Sequence, residues 1–370
     1  MKLPRQWPRV AGLALGAGLL MATGCVRVTP SPGGHRGTPP AGMLTATKMT
    51  NAVPPSLPPA PPSPSPSGTP HGAASSPSTN SATAAETWAR NMAVQIHLDQ
   101  ALCSPGGIDG RWGDKSRKAL RAWQRMTGRR ATGDLDAEAL AALGSTNELW
   151  TSYVVTAADH AALTPYPTTW LGKSKQESLG YITIEEAVAE RFHLYAATLR
   201  RLNPASPWPN PPAGTHLKVP ARLSRKHLPA LSRLEIRMGE RTLRAYDAAG
   251  HLVAQFPCSI AADKAKRPVD RTLLVKVWAE NPEYTFDPDL YADQPEAVAL
   301  GKRLRIPPGP NNPVGLAWIG LDLPGYGIHG TPHPEDISHT ESHGCFRLTN
   351  WDALRLVRAV HSDLPVRILP

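Results

Sequence analysis

The chain has 370 residues, 41% of them hydrophobic and 19% charged, with a net charge of +10 at pH 7. At about 150 residues per domain this length predicts two or three domains, and the apolar share suffices for packed cores, which excludes wholesale disorder. Four cysteines exclude a disulfide scaffold, while the basic balance favours an anionic environment such as a membrane surface, a nucleic acid or an acidic cell-wall polymer.

Lys2, Arg5 and Arg9 precede an apolar run from Val10 to Gly24. That run is too short to span a bilayer core of about 30 Å, so residues 1–24 read as a signal peptide. Ala22-Thr23-Gly24-Cys25 resembles a bacterial lipobox. The resemblance implies that Cys25 is lipidated and becomes the mature N-terminus, holding the protein in the cell envelope, lipid-anchored and periplasm-facing. An ordinary cleaved signal with an incidental Cys25 is the alternative. Export argues against a nucleic-acid partner.

Residues 25–85 hold 14 of the 40 prolines, all between Pro30 and Pro77, and almost no large apolar side chains. Such a segment cannot offset its ordering entropy and reads as a disordered tether. It would reach roughly 45 Å as a flexible coil and up to about 190 Å as polyproline II.

Residues 86–148 read as a small helical bundle. Val94, Leu98 and Leu102 recur every four residues, as one apolar helical stripe does. A glycine-rich break at 106–113 follows, then a helix over Lys115–Arg125 and a third helical piece from Asp134 to Leu143. Val94/Leu98, Ile108-Asp109-Gly110-Arg111-Trp112-Gly113 and Ala119-Leu120 with Trp123-Gln124 resemble the peptidoglycan-binding type 1 family. This implies affinity for wall glycan; a bundle with Trp112 and Trp123 as plain core is the other reading. The basic run Arg111, Lys115, Arg117, Lys118, Arg121, Arg125, Arg129, Arg130 is either a solvated face or an attraction to anionic wall or lipid groups.

Residues 150–222 contain a helix over Ile184–Phe192, a second ending Leu199-Arg200-Arg201-Leu202-Asn203, and Gly214-Thr215-His216-Leu217-Lys218-Val219-Pro220. These resemble the later part of a LysM module, which implies an α+β βααβ unit with Tyr153-Val154-Val155 as its first strand. The sequence departs from that pattern in a long insert, Thr156–Tyr181.

From 231 to 370 the period changes to two. Leu234, Ile236 and Met238 alternate, Asp247-Ala248-Ala249-Gly250 signals a turn, and Leu252, Ala254 and Phe256 resume the alternation, which predicts a hairpin. Leu273–Val277, Ala317–Leu321 and Val366–Leu369 are further strand candidates. One helix is expected over Trp351–His361, with Asn350 as N-cap.

The segment 326–350 gathers His329, His333, His339, His343 and Cys345. A metal site, a structural loop and a nucleophilic cysteine all compete for it. The nominal His-x₃-His spacing loses its meaning because Gly330, Pro332 and Pro334 forbid a regular helix. A thiol becomes a nucleophile when a nearby imidazole takes its proton and lowers its pKa. A glycine before it permits a sharp turn and close substrate approach, and successive backbone N–H groups there can hold an oxyanion.

Ile328-His329-Gly330-Thr331 followed by Ser342-His343-Gly344-Cys345-Phe346-Arg347-Leu348 resembles the signature of the L,D-transpeptidase (YkuD) family. Asn281-Pro282-Glu283-Tyr284 and Asn312-Pro313-Val314-Gly315 look like further landmarks of that family. The resemblance implies a mostly-β catalytic domain with Cys345 as nucleophile, His329 as base and later acid, and the N–H groups of His343, Gly344 and Cys345 as oxyanion donors. The Gly330 carbonyl would orient His329. Ser342, Gly330 and Arg347 are placed on the substrate side, with Arg347 fixing either a substrate carboxylate or the loop itself. The implied reaction is acyl transfer from a peptidoglycan tetrapeptide stem, releasing D-Ala and forming a 3→3 cross-link, with no cofactor and no metal. Water or a protein lysine as acceptor, and a non-catalytic wall-binding lipoprotein, are the alternatives. Cys103 and Cys258 are either a pair that staples two domains or two separate packed thiols.

Overall fold

The computed structural model describes residues 83–143, 149–221, 227–291, 294–339 and 344–370. The leader, Cys25, the tether, Ser342 and His343 lie outside the described residues.

The first unit holds α1 (Ala84–Gln100), α2 (Asp114–Met126) and α3 (Ala137–Leu143). Thr83 and Glu86 form a reciprocal capping box that starts α1. Gln95 accounts for the glycine-rich turn: its carbonyl accepts from the Asp109 and Gly110 N–H groups at 3.0 and 2.7 Å, and its amide donates to Asp109 Oδ1 at 2.9 Å. Gly110 has φ +71°, and a Cβ there would stand 2.4 Å from the Trp88 ring. Trp123 is core, and Trp112 is half-buried against the same cluster. Leu102 departs from the expected stripe. It lies beyond the end of α1 with φ +64° and packs into the core of the C-terminal domain.

The middle unit runs β1 (Trp150–Val154), α4 (Ala157–Ala161), α5 (Trp170–Ser174), α6 (Ile184–Arg191), α7 (Ala196–Leu202), β2 (His216–Pro220). β1 and β2 pair antiparallel from Trp150↔Pro220 to Val154↔His216, so the first strand begins three residues earlier than expected. The insert carries α4 and α5.

The C-terminal domain is built on an eight-stranded mixed sheet in the order β11-β10-β9-β6-β12-β3-β4-β5. Its strands are β3 (Leu231–Arg237), β4 (Thr242–Asp247), β5 (Leu252–Pro257), β6 (Thr272–Glu280), β9 (Ala317–Leu321), β10 (Gly327–His329), β11 (Phe346–Arg347) and β12 (Pro365–Leu369). A two-stranded sheet of β7 (Tyr284–Phe286) and β8 (Leu304–Ile306), with α8 (Pro295–Leu300), stands beside it. The expected hairpin is the β3–β4–β5 meander. The expected C-terminal helix is α9 (Asn350–Val357), shorter than anticipated, and its cap is Thr349, whose hydroxyl accepts from Asp352 N–H. Asn350 is therefore freed from capping and used elsewhere. α8 is a second helix that the sequence reading did not anticipate.

The units share cores. Residues 102–104 add to the outer strand β5, with Gln255 N–H donating to the Leu102 carbonyl and Ser104 N–H to the Gln255 carbonyl, both at 2.9 Å, which covers a sheet edge. Arg355 of α9 grips Asp99 of α1 at 2.8 and 3.0 Å, and His193 Nδ1 lies 2.9 Å from the same carboxylate. Part of the basic run is engaged across units: Lys118 Nζ donates to the Glu240 carbonyl at 2.6 Å and Lys115 Nζ to Tyr195 Oη at 2.9 Å. Cys103 and Cys258 are separate buried thiols.

Candidate active site

β10 ends at His329, and β11 begins one residue after Cys345. The two strands run parallel at one end of the sheet, with Ile328 opposite Phe346 and His329 opposite Arg347. Leu348 N–H donates to the His329 carbonyl at 2.8 Å. The two halves of the motif thus meet because the intervening loop returns to the same sheet edge.

His329 is buried, and its ring stacks on Trp318 of β9 at 5.8 Å and 26°. Its Nδ1 lies 2.6 Å from the Gly330 carbonyl. A carbonyl only accepts, so Nδ1 carries the proton and Nε2 keeps its lone pair. The orienting role expected of Gly330 has this geometry. Gly330 itself is buried, and a Cβ there would stand 2.3 Å from Asn350 Oδ1.

Asn350 and Glu190 are residues that sequence reasoning missed. Asn350 is fully buried. Its Oδ1 accepts from Leu316 N–H at 3.0 Å, and its amide donates to the Pro310 carbonyl at 3.2 Å and to the two Glu190 oxygens at 3.2 and 3.0 Å. Glu190 comes from α6 of the middle unit and also accepts from Tyr181 Oη at 2.8 Å. Burial pushes its carboxyl up to about 7, against the hydrogen bonds from Tyr181 and Asn350. The asparagine in a helix-start position was a visible signal, but capping explained it away.

Cys345 is 8% exposed, and its thiol donates to the Gly325 carbonyl at 3.4 Å. It belongs to an apolar cluster with Tyr284, Phe286, Val314, Trp318 and Leu179. Burial pushes the thiol up to about 11, with the Gly327 backbone and the Arg347 charge pulling the other way. Burial likewise pushes His329 down to about 4. Burial thus disfavours both charged forms, the thiolate and the imidazolium. Desolvation is the reason, and a motif does not display it.

Gly344 has no left-handed φ, and a Cβ there would meet nothing within 4 Å. Arg347 is half-buried, exchanges backbone hydrogen bonds with Ser259 at 2.9 and 3.0 Å, and places its charge near Asp336, Cys258, Cys345 and Tyr291. His333 lies 3.8 Å from Glu335. Among the described residues no three His, Cys, Asp or Glu side chains converge as a metal site.

The parallel strand pair places an imidazole with an available Nε2 lone pair at the end of one strand and a thiol just before the other, the two groups that nucleophilic cysteine catalysis uses. Comparison with known proteins names the class. Residues 231–368 match the L,D-transpeptidase catalytic domain (YkuD) family, and residues 92–143 match the putative peptidoglycan binding domain family. A putative L,D-transpeptidase YkuD of Bacillus licheniformis is 26% identical over 185 residues, covering 50% of this chain and 93% of its own. A putative L,D-transpeptidase of Fuscovulum blasticum is 34% identical over 131 residues, covering 35% of this chain and 65% of its own. A solved L,D-transpeptidase structure from Xylanimonas cellulosilytica is 14% identical, covers 75% of this chain and 91% of its own, and has a TM-score of 0.31. The chain carries a YkuD-family L,D-transpeptidase catalytic domain behind a peptidoglycan-binding type domain, and it is an enzyme of that class.

Proposed function

We propose that the enzyme forms 3→3 cross-links in peptidoglycan by acyl transfer through Cys345. His329 Nε2 takes the thiol proton as sulfur attacks the carbonyl between the third stem residue and D-Ala. The backbone N–H groups at Gly344 and Cys345, with that of His343, hold the oxyanion. The carbon–nitrogen bond breaks, His329 returns its proton to the leaving D-Ala amine, and a thioester remains on Cys345. The amine of a second stem attacks the thioester and restores the thiol. The observation that carries this reading is the carbonyl-anchored imidazole at the end of β10, on the strand paired with the one that Cys345 immediately precedes.

Lipidation at Cys25 would hold the enzyme at the envelope, and the tether would give it reach. Residues 86–148 and the LysM-like 150–222 would keep it on the polymer it modifies. Incubating the full chain with purified tetrapeptide muropeptides and reading products by mass spectrometry tests the reaction. Dimers lacking one D-Ala support it, tripeptide alone indicates water as acceptor, and absence of any product overturns it.

A further inference from the structure

The insert at 156–181, which the resemblance to a wall-binding module left without a purpose, is seated on the catalytic cluster. Leu179 is fully buried in the same apolar cluster as Cys345. Its N–H donates to the Pro308 carbonyl at 2.8 Å, and Asn311 N–H donates to its carbonyl at 3.0 Å. Trp170 of α5 stacks on Phe286 at 4.4 Å and tilts against Tyr291 at 5.2 Å. Tyr291 Oη is 3.0 Å from Tyr284 Oη, and both phenols feel the Cys345 sulfur. Trp170 N–H donates to Glu296 at 2.7 Å and its indole donates to Gln294 at 3.2 Å, so the insert is fixed at both backbone and side chain.

On this shelf sits Lys173. Its Nζ lies 5.5 Å from the Tyr166 ring centre and 5.4 Å from that of Trp170. It is half-buried and has no carboxylate within ion-pair distance among the described residues. The one carboxylate that acts on it, Glu296, is engaged by Trp170 N–H. Its charge reaches His333, in the loop that joins the two halves of the catalytic motif. A partly desolvated ammonium held on two aromatic faces, with no carboxylate in direct ion-pair contact, can take an anion.

We propose that the insert forms a wall of the acyl-donor cleft and that Lys173 binds a carboxylate of the donor stem peptide. The inference rests on the cross-linking reading for the identity of the donor. Two carboxylates are possible sources: the side-chain carboxylate of the third-residue diamino acid and the terminal carboxylate of D-Ala. A preceding module thereby supplies substrate selection to a catalytic domain that carries the chemistry.

The test compares the full chain with Lys173→Met and Lys173→Arg on three synthetic tetrapeptide stems: both carboxylates free, the side-chain carboxylate amidated, and the terminal carboxylate amidated. For the free peptide, Lys173→Met raises KM about 10-fold, leaves kcat within about 2-fold, and Lys173→Arg recovers most of the loss. One amidated peptide is insensitive to Lys173→Met and so identifies the carboxylate that Lys173 binds. Equal losses on all three peptides, or no loss on the free one, overturn the proposal. Binding of the same peptides to the Cys345→Ala chain, by calorimetry, reads Lys173 independently of turnover. If wild type turns over none of them, the cross-linking reading falls, and the binding series still decides Lys173. Alkylation of Cys345 by iodoacetamide at an unchanged rate in Lys173→Met shows that the site is intact.

Discussion

Two buried histidines in this molecule share a packing scheme and differ in one partner. His329 stacks on Trp318 at 5.8 Å and turns Nδ1 to the neutral Gly330 carbonyl at 2.6 Å. His193 stacks on Trp351 at 5.1 Å and turns Nδ1 to the Asp99 carboxylate at 2.9 Å. Asp99 is held well below the usual carboxylate range; its burial works against this, and Arg355 and His193 outweigh it. The carboxylate makes the second site a charged joint between three units, in which every charge has a partner. Burial holds the first ring neutral, against the Gly330 carbonyl, which fixes the Nδ1 proton and leaves the Nε2 lone pair for proton transfer. Two similarly stacked rings thus face different partners behind Nδ1, a neutral carbonyl in one and a buried, Arg355-paired carboxylate in the other.

The largest expected effect comes from removing the base. His329→Ala should lower turnover about 10²–10⁴-fold with the fold retained, measured by muropeptide assay alongside circular dichroism. His193→Ala should leave kcat within a few-fold, and an equal loss from both would erase the distinction drawn here. Next in size is the joint. Arg355→Met strands Asp99 and Asp352 as buried carboxylates and should cost about 3–5 kcal/mol in denaturant unfolding. A loss under 1 kcal/mol would mean that the joint contributes little to holding the units together.

The pH dependence sharpens the contrast. With His329 down at about 4 and Cys345 up at about 11, the acidic limb of kcat/KM should fall near pH 4 and not near 6.5, with no rise from thiol ionisation below pH 9. Because the folded His329 pKa lies below its unfolded value near 6.5, the unfolded state binds more protons between about pH 4 and 6.5. Stability contributed by the buried neutral ring is therefore lost as pH falls through that window. Glu190 has the opposite sign. Its folded pKa of about 7 exceeds the unfolded value near 4.3, so its contribution to stability declines as pH rises from about 4.5 to 7. Glu190→Gln should flatten that part of the stability curve, and a wild-type slope retained in the variant would contradict the assignment.

The family resemblance was legible because it is local. His329-Gly330 and Gly344-Cys345 are short words, and the β3–β5 meander and the Asp109-Gly110 turn carry period and turn residues that depend on near neighbours. Burial was not legible, and with it the desolvation that works against both charged forms at Cys345 and His329. Contacts across long separations were not legible either. Leu102 reads as one more residue on a helical stripe until the catalytic core is present to receive it, and Asn350 reads as a cap until Glu190, 160 residues earlier, is brought beside it. The insert at 156–181 showed only as a departure from a pattern, because its seat on Phe286 and Tyr291 exists only in the folded chain.

The central claim is that Cys345 carries the acyl group. Incubating the full chain with a tetrapeptide stem, quenching in acid and mapping peptides by mass spectrometry reads this directly. The account predicts a tripeptide acyl group in thioester linkage on Cys345, with D-Ala released, none in Cys345→Ala, and Cys103 and Cys258 unmodified. Product formation with no adduct at Cys345, or an adduct on another residue, would contradict it.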